Sequence, residues 1–287
     1  MKKILAFLTV FIFLSHIENS VSQIIYSNKN VEVTNLTDKI YLLRETIYFT
    51  ANIIAFAGPD GIILFDTGFR EAADDLVDAV KHIKSEKVEF IINSHAHGDH
   101  VGANSFFGKD ATIIGHEKCK ESFTKGGLKV ITFEKEYSFT FNEKEIKCLA
   151  YPGGHSPCDI VIYIPELKIA YLGDIYLSES FPLIGINSGA RAQILVKNLK
   201  KILSIFSEDT RLIPGHGRVT TIDDYKNYID MVETTIEIVR KEMETGKSLE
   251  EIQNSDVLKD WGKWGAFFEF ITKESWIEDV FISYSEN

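Results

Sequence analysis

The apolar residues of this chain fall into short runs with polar punctuation between them, and the spacing inside each run predicts its element. Residues 39–57 carry β-branched and aromatic runs that read as strand. Pro59-Asp60-Gly61 closes that stretch as a turn, proline fixing φ and glycine admitting conformations that other residues avoid. Residues 61–66 then form a short strand that is apolar up to Asp66, the kind covered on both faces. Residues 71–84 have helical spacing, with Leu76, Val80 and Ile83 on one stripe and acids in the first turn. A second buried strand, 88–92, stops at Asn93-Ser94. Residues 111–151 read as shorter strands, among them 112–115, 137–141 and 146–151. Segments 160–164 and 168–172 pair as a hairpin around Pro165-Glu166. Helical spacing returns over 192–206, a last strand is predicted at 211–213, and 223–244 and 267–284 read as the closing helices. Strands followed by helices occur twice with no linker between the halves. One α/β sandwich accounts for that order better than two domains.

The N-terminus stands apart from this pattern. Lys2 and Lys3 precede an apolar run over 4–14, and a polar stretch ends in Ser20-Val21-Ser22. That order of charge, apolar run and small residues is the order of a secretory signal peptide, so 1–22 is expected to be removed. The run is too short to stay behind as a comfortable membrane anchor. The expected mature protein is therefore one domain over 23–287, periplasmic or secreted, with no stable membrane anchor.

Bulk composition adds two constraints. A chain of 287 residues with 45% hydrophobic content can bury a sizeable core without staples. A formal charge of −11 excludes nucleic acid as the main partner, because phosphate binding needs clustered Lys and Arg. The three cysteines, Cys119, Cys148 and Cys158, are odd in number and form no C-x-x-C pair. One bridge is possible in an oxidising compartment, and the pair stays open. Cys158, three residues after His155, invites a sulfur-ligand reading, but a small buried residue on a tight loop is the preferred one. Trp261, Trp264 and the aromatics near Phe267 are read as core packing rather than a ligand platform.

The chemistry concentrates where strands end. His95, His97, Asp99 and His100 crowd directly behind the strand at 88–92, in a loop that is expected to be non-helical, with Gly98 allowing a sharp turn. Side chains two apart on extended backbone point the same way, so His95 and His97 can grip one ion while Asp99 and His100 turn toward another. Three more candidates follow other strands: His155 after Tyr151-Pro152-Gly153-Gly154, Asp174 after Leu172-Gly173, and His216 within Ile213-Pro214-Gly215-His216-Gly217. Loops at one edge of a sheet converge on a rigid scaffold, which is where α/β folds place their sites. Imidazoles with hard carboxylates suit Zn²⁺ well and Mn²⁺ or Fe²⁺ tolerably.

These residues resemble a known family. His95-Ala96-His97-Gly98-Asp99-His100 matches in full the H-x-H-x-D-H motif of the metallo-β-lactamase superfamily. Phe65-Asp66-Thr67-Gly68, Gly154-His155, Gly173-Asp174 and Gly215-His216-Gly217 resemble its other motifs in order and rough spacing. The resemblance implies a four-layer αββα sandwich with its site at one edge of the paired sheets. It assigns His95, His97 and His155 to one divalent ion and Asp99, His100 and His216 to a second, with Asp174 bridging. Asp66 would orient ligands through hydrogen bonds. His116 is expected near the site as a supporting or packing residue, and His82 on the surface. The implied reaction is hydrolysis of a small molecule by a metal-bound hydroxide, with Asp99 able to orient the nucleophile or take its proton.

Branch-level features narrow the substrate. His97 stands where the oxygen-reducing flavodiiron branch has an acid, which favours hydrolysis over redox chemistry. The signal peptide counts against the glyoxalase II and tRNA-processing branches. Asp174 stands where two-zinc β-lactamases carry Cys or Ser, which favours ester, lactone or thioester hydrolysis; β-lactam hydrolysis is the alternative, and His100 is similar to one of those branches. Every ligand position is filled, so a scaffold without catalysis is the least favoured reading. Residues 175–189, with Tyr176, Phe181 and Asn187, are expected to line the substrate pocket.

Overall fold

Eight strands form one sheet in which neighbours in space are also neighbours in sequence. β1 (Ile24–Ser27), β2 (Val31–Asn35), β3 (Ile40–Glu45), β4 (Ala51–Gly58) and β5 (Gly61–Phe65) follow each other directly and so pair antiparallel. β6 (Val88–Ile92), β7 (Thr112–His116) and β8 (Lys129–Phe133) pair parallel. Each arrives by a crossover, through α1 (Ala73–Ile83), then α2 (Gly98–Val101) and α3 (Asn104–Phe107), then α4 (Lys120–Phe123). The second sheet runs antiparallel through β9 (Glu136–Phe141), β10 (Lys144–Ala150), β11 (Ile160–Ile164) and β12 (Ile169–Gly173). After the crossover helix α5 (Ala192–Leu203), β13 (Arg211–Pro214) joins it parallel to β12. The helices α6 (Ile222–Glu244), α7 (Leu249–Gln253) and α8 (Lys273–Ser285) complete the chain. This computed structural model describes residues 23–285 apart from residues 85 and 126, so the expected signal peptide lies outside the described residues.

Strand alternation sorts the side chains into three apolar layers. Ile54, Phe56, Ile63 and Phe65 of the first sheet meet Ile146, Ile160, Ile162, Tyr171 and Ile213 of the second. Ile53, Ala55, Ile62 and Leu64 face the other way, onto Leu76, Ala79 and Val80 of α1. Val161, Tyr163, Ala170 and Leu212 pack outward against Leu195, Leu199 and Ile202 of α5 and Tyr225 and Val232 of α6. The result is the expected α/β/β/α order. β4 and β5 are buried along their whole length, which is why their sequences are continuously apolar rather than alternating.

Several elements differ from expectation. The 39–57 stretch breaks at 46–50 into β3 and β4. β1 and β2 form where the apolar alternation is too short to stand out. The last helix begins at Lys273, not 267, because Thr272 and Ser275 exchange side-chain and backbone hydrogen bonds (Ser275 N to Thr272 Oγ1, 3.1 Å; Thr272 N to Ser275 Oγ, 2.8 Å) and fix the start there. Among the described residues no helix is long and apolar enough to cross a membrane.

Candidate metal centre

The ends of β5, β6, β10, β12 and β13 deliver Asp66, the His95–His100 segment, His155, Asp174 and His216 to one place. In the first group His97 Nδ1 lies 3.0 Å from both His95 Nε2 and His155 Nε2, and those two nitrogens are 3.2 Å apart. In the second, Asp99 Oδ2 is 3.1 Å from His216 Nε2 and 3.4 Å from His100 Nε2, and the two imidazoles are 3.4 Å apart. Asp174 stands between the groups. Its Oδ1 is 3.3 Å from His100 Nε2, and its Oδ2 is 3.3 Å from His216, 3.7 Å from His155 and 3.9 Å from His95.

Hydrogen bonds behind the rings aim the nitrogens. His155 Nδ1 donates to the Leu183 carbonyl (2.7 Å), His216 Nδ1 to the Thr50 carbonyl (2.5 Å) and His100 Nδ1 to Asp66 Oδ2 (2.7 Å). Ser94 Oγ donates to Asp66 Oδ2 (2.6 Å), which leaves it free to accept from His95 Nδ1 at 3.0 Å. With Nδ1 as the donor in these four contacts, Nε2 of each ring is turned to the cluster, where it can offer a lone pair to a cation. Asp66 is the hub: it also accepts from Ser94 N (2.7 Å) and the Tyr171 hydroxyl (2.7 Å), and this web holds it at φ +61°, a left-handed conformation. Gly215 is glycine for a local reason, since a Cβ there would run into the Asp174 carboxylate and the His100 ring.

Protein charges treat the two groups differently. Burial, with the neighbouring imidazoles, holds His95 well below the usual histidine range, and burial lowers His97 and His155 too. Burial also opposes charge on His100 and His216, but Asp174 and Asp99 outweigh it, raising His100 well above that range and His216 to about 9. Asp174 pays for its burial too, yet His216 and His100 keep it ionised well below the carboxylate range.

The donors fit two divalent cations. Four atoms from His95, His97, His155 and Asp174, and four from Asp99, His100, Asp174 and His216, lie within 4.8 Å of one another in each group. Tetrahedral Zn–N bonds of about 2.0–2.1 Å place ligand atoms roughly 3.3 Å apart, close to the spacings here. Three Nε2 or Nδ1 lone pairs turned on each other repel unless a cation lies between them. Asp174 Oδ1 is buried without a hydrogen-bond partner, as expected of an atom reserved for a cation.

Several expectations need correction. The loop holding Asp99 and His100 is not irregular: residues Gly98–Val101 make one helical turn with His97 at its N-cap. That turn, rather than glycine flexibility, swings Asp99 and His100 away from His95 and His97, and Gly98 has no positive φ. His116 belongs to neither group and is a buried packing residue against Phe133, its Nε2 donating to the Glu134 carbonyl and its Nδ1 accepting from Lys118 N. His82 is exposed as expected, stacked on Tyr26. Of the 175–189 segment, Leu177 and Leu183 line the site, whereas Tyr176 packs on Tyr225 and Tyr228, Phe181 on Trp276, and Asn187 is exposed. Phe268 and Phe270, read as core, line the site together with Phe49. The break at the polar Arg44-Glu45-Thr46 inside an apolar run was the available signal for Phe49.

Cys158 is no metal ligand: it is bonded to Cys119, and Cys148 is the free, buried thiol. The bridge ties the loop after β7 to the His155 loop, where Asp159 also accepts from His155 N and Ser156 N (2.9 Å each). Closing a separation of 39 residues restricts the unfolded chain by up to about 4 kcal/mol. Cys119→Ser should therefore lower unfolding free energy by about 2–4 kcal/mol in a denaturant titration. A loss under about 0.5 kcal/mol would mean that the bridge contributes nothing to the fold.

A family model described as the metallo-beta-lactamase superfamily matches residues 48–217, more than half of the chain. The chain is 25% identical over 199 residues to metallo-beta-lactamase IND-1 of Chryseobacterium indologenes, covering 67% of this chain and 80% of that protein. It is 25% identical over 230 residues to a type 2 metallo-beta-lactamase of Bacteroides fragilis, covering 75% and 88%. Among solved structures, a metallo-beta-lactamase from Pontibacter korlensis superposes with a TM-score of 0.62 at 19% identity, over 71% of this chain and 99% of that one. The sec-alkylsulfatase Pisa1 from Pseudomonas sp. gives 0.67 at 16% identity, over 88% of this chain and 50% of that one. At such identities the structures speak for the fold alone. The family match, on a fold that already carries both His/Asp groups, is what makes this chain a member of the metallo-β-lactamase superfamily, a family of metal-dependent hydrolases.

Proposed function

We propose that the protein holds two divalent ions, Zn²⁺ first and Mn²⁺ or Fe²⁺ next, and hydrolyses an ester, lactone or thioester. His95, His97 and His155 would hold one ion, Asp99, His100 and His216 the other, with Asp174 shared. The carrying observation is Asp174 itself, a carboxylate within 3.9 Å of imidazoles from both groups. Two ions held there would supply an activated water near neutral pH and polarise the oxygen of the bond to be cleaved. The protein's own work is positional. Asp66 and the carbonyls of Thr50 and Leu183 fix the rings, and Asp99, half-buried at the mouth, accepts a hydrogen bond from the attacking water. Burial of His95, His100, His155, Asp174 and His216 keeps bulk water from competing for them, while His97 stays exposed.

Hydrolysis of β-lactams is the second reading, favoured by the names of the relatives at 25% identity. A hydrolysis panel spanning esters, lactones, thioesters and β-lactams, with elemental analysis of the same sample, separates the two. β-Lactams as the best substrates would reverse the preference.

Export completes the proposal: removal of 1–22 would start the mature chain at Gln23, and the Cys119–Cys158 bridge fits an oxidising compartment. N-terminal sequencing of protein recovered outside the cytoplasm should begin at or near Gln23. Soluble cytoplasmic protein still starting at Met1 would end this part of the reading.

A further inference from the structure

The molecule opens beside the two His/Asp groups in two directions, and Phe49 stands between them. On one side is a cavity of about 180 Å³ walled by Phe49, Leu177, Leu183, Phe268, Phe270 and Ile271. Its floor is His97, Asp99, Asp174 and His216 of the two groups, and among the described residues no Lys or Arg lines it away from that floor. On the other side is a shallower groove of about 500 Å³, bordered by Tyr48, Phe69, Arg70, Glu71 and Gly98. Phe49 is held edge-on against Phe69 and His216 (5.2 Å each) and Phe268 (5.5 Å), so the partition is braced from three sides.

We propose that the acyl arm of the substrate is uncharged and apolar, the size of a phenyl ring or a short alkyl chain, and lies in the Phe268/Leu183 cavity, with the leaving group in the Arg70/Glu71 groove. This rests on the ester, lactone and thioester reading above. The size follows from the volume, since an apolar cavity of about 150 Å³ already accepts benzene. The charge follows from the walls. A carboxylate at the far end of the acyl arm would lose water among rings and alkyl groups and meet no Lys or Arg there, which disfavours an unpaired ion. The direction follows from the neighbours of each opening. The groove meets the second group only, at Asp99, whereas the cavity, though it also meets Asp99 and His216, reaches His97 of the first group and Leu183, whose carbonyl holds His155. In the groove Arg70 and Glu71 present both charges, so polar leaving groups are tolerated on that side.

The test uses the metal-replete full protein and p-nitrophenyl esters of one leaving group: acetate, butanoate, hexanoate, and the mono-ester of adipic acid. kcat/KM should rise about tenfold or more from acetate to hexanoate, and the adipate ester, of equal length but with a terminal carboxylate, should fall at least about tenfold below hexanoate, or about 1.4 kcal/mol. Phe270→Arg puts a cation on the rim at a side chain that is 53% exposed, so folding is spared. It should shrink the hexanoate-to-adipate ratio at least about fivefold. A flat acyl series, equal turnover of the adipate ester, or an unchanged ratio in the variant overturns the proposal. Calorimetric binding of hexanamide against the monoamide of adipic acid gives a readout free of turnover. If no ester is cleaved but hexanamide binds more tightly, the hydrolase reading fails and the cavity assignment stands. If esters are cleaved without preference for length or charge, the reverse holds, and if neither preference nor turnover is seen both fall.

Discussion

Stripping the protein of divalent ions with a strong chelator should abolish hydrolysis, and Zn²⁺ or Mn²⁺ should restore it with two ions bound per chain. The seven donor residues are too many for one tetrahedral ion, which takes four ligands. They also sort by distance into two groups that share only Asp174. Acid should also remove the ions, because protons compete with metal for the imidazole lone pairs. Activity should fall more than about tenfold between about pH 7 and pH 5, the range in which an ordinary imidazole takes up its proton. Elemental analysis along the titration reads this directly. No more than one ion per chain in metal-replete buffer, or both ions and full activity retained at about pH 5, would contradict it.

Much of this centre is legible in the chain because metal chemistry needs particular atoms at particular strand ends. The seven candidate donors lie in loops that follow strands, which leaves little freedom once the strands align, and all seven fall within the two His/Asp groups. The supporting shell is harder to read. Asp66 is visible as the end of an apolar strand, but Tyr171, Ser94 and the carbonyls of Thr50 and Leu183 act through tertiary proximity that no local pattern encodes. The cavity walls are least legible of all. Phe268 and Phe270 fall inside the 267–284 stretch that reads as helix, and only the Thr272/Ser275 cap shows that they precede it. An aromatic is equally at home in a core and at a site mouth, so composition does not separate the two. The Cys119–Cys158 pair was open for a related reason: a disulfide needs Cα atoms about 6 Å apart, a condition that only the folded chain decides.

Asp174→Ser should lower occupancy of the second ion and cut kcat/KM for ester, lactone or thioester substrates by at least tenfold, about 1.4 kcal/mol of barrier. Asp174 offers an oxygen 3.3 Å from each of His100 and His216, and the same carboxylate reaches toward His95 and His155. Serine is shorter and neutral, so it withdraws both a donor and a negative charge from the point where the groups meet. The substitution also shrinks the side chain beside Gly215, so it introduces no clash. Asp174→Asn separates the two effects, keeping the shape while removing the charge. A shared carboxylate adds negative charge to both ions and leaves the second less electrophilic, which weakens its help to a poor nitrogen leaving group. Alkoxide and thiolate leaving groups need that help less. The wild-type protein should for this reason cleave lactones, aryl esters or thioesters with higher kcat/KM than penicillin-, cephalosporin- or carbapenem-type compounds. The measurement is kcat/KM across that panel for wild type, Asp174→Ser and Asp174→Asn, with metal content on each sample. A serine variant that keeps both ions and full activity removes Asp174 from the centre. A variant that loses ester turnover but gains on β-lactams ties substrate choice to this one carboxylate, and wild-type preference for β-lactams puts the β-lactamase reading ahead.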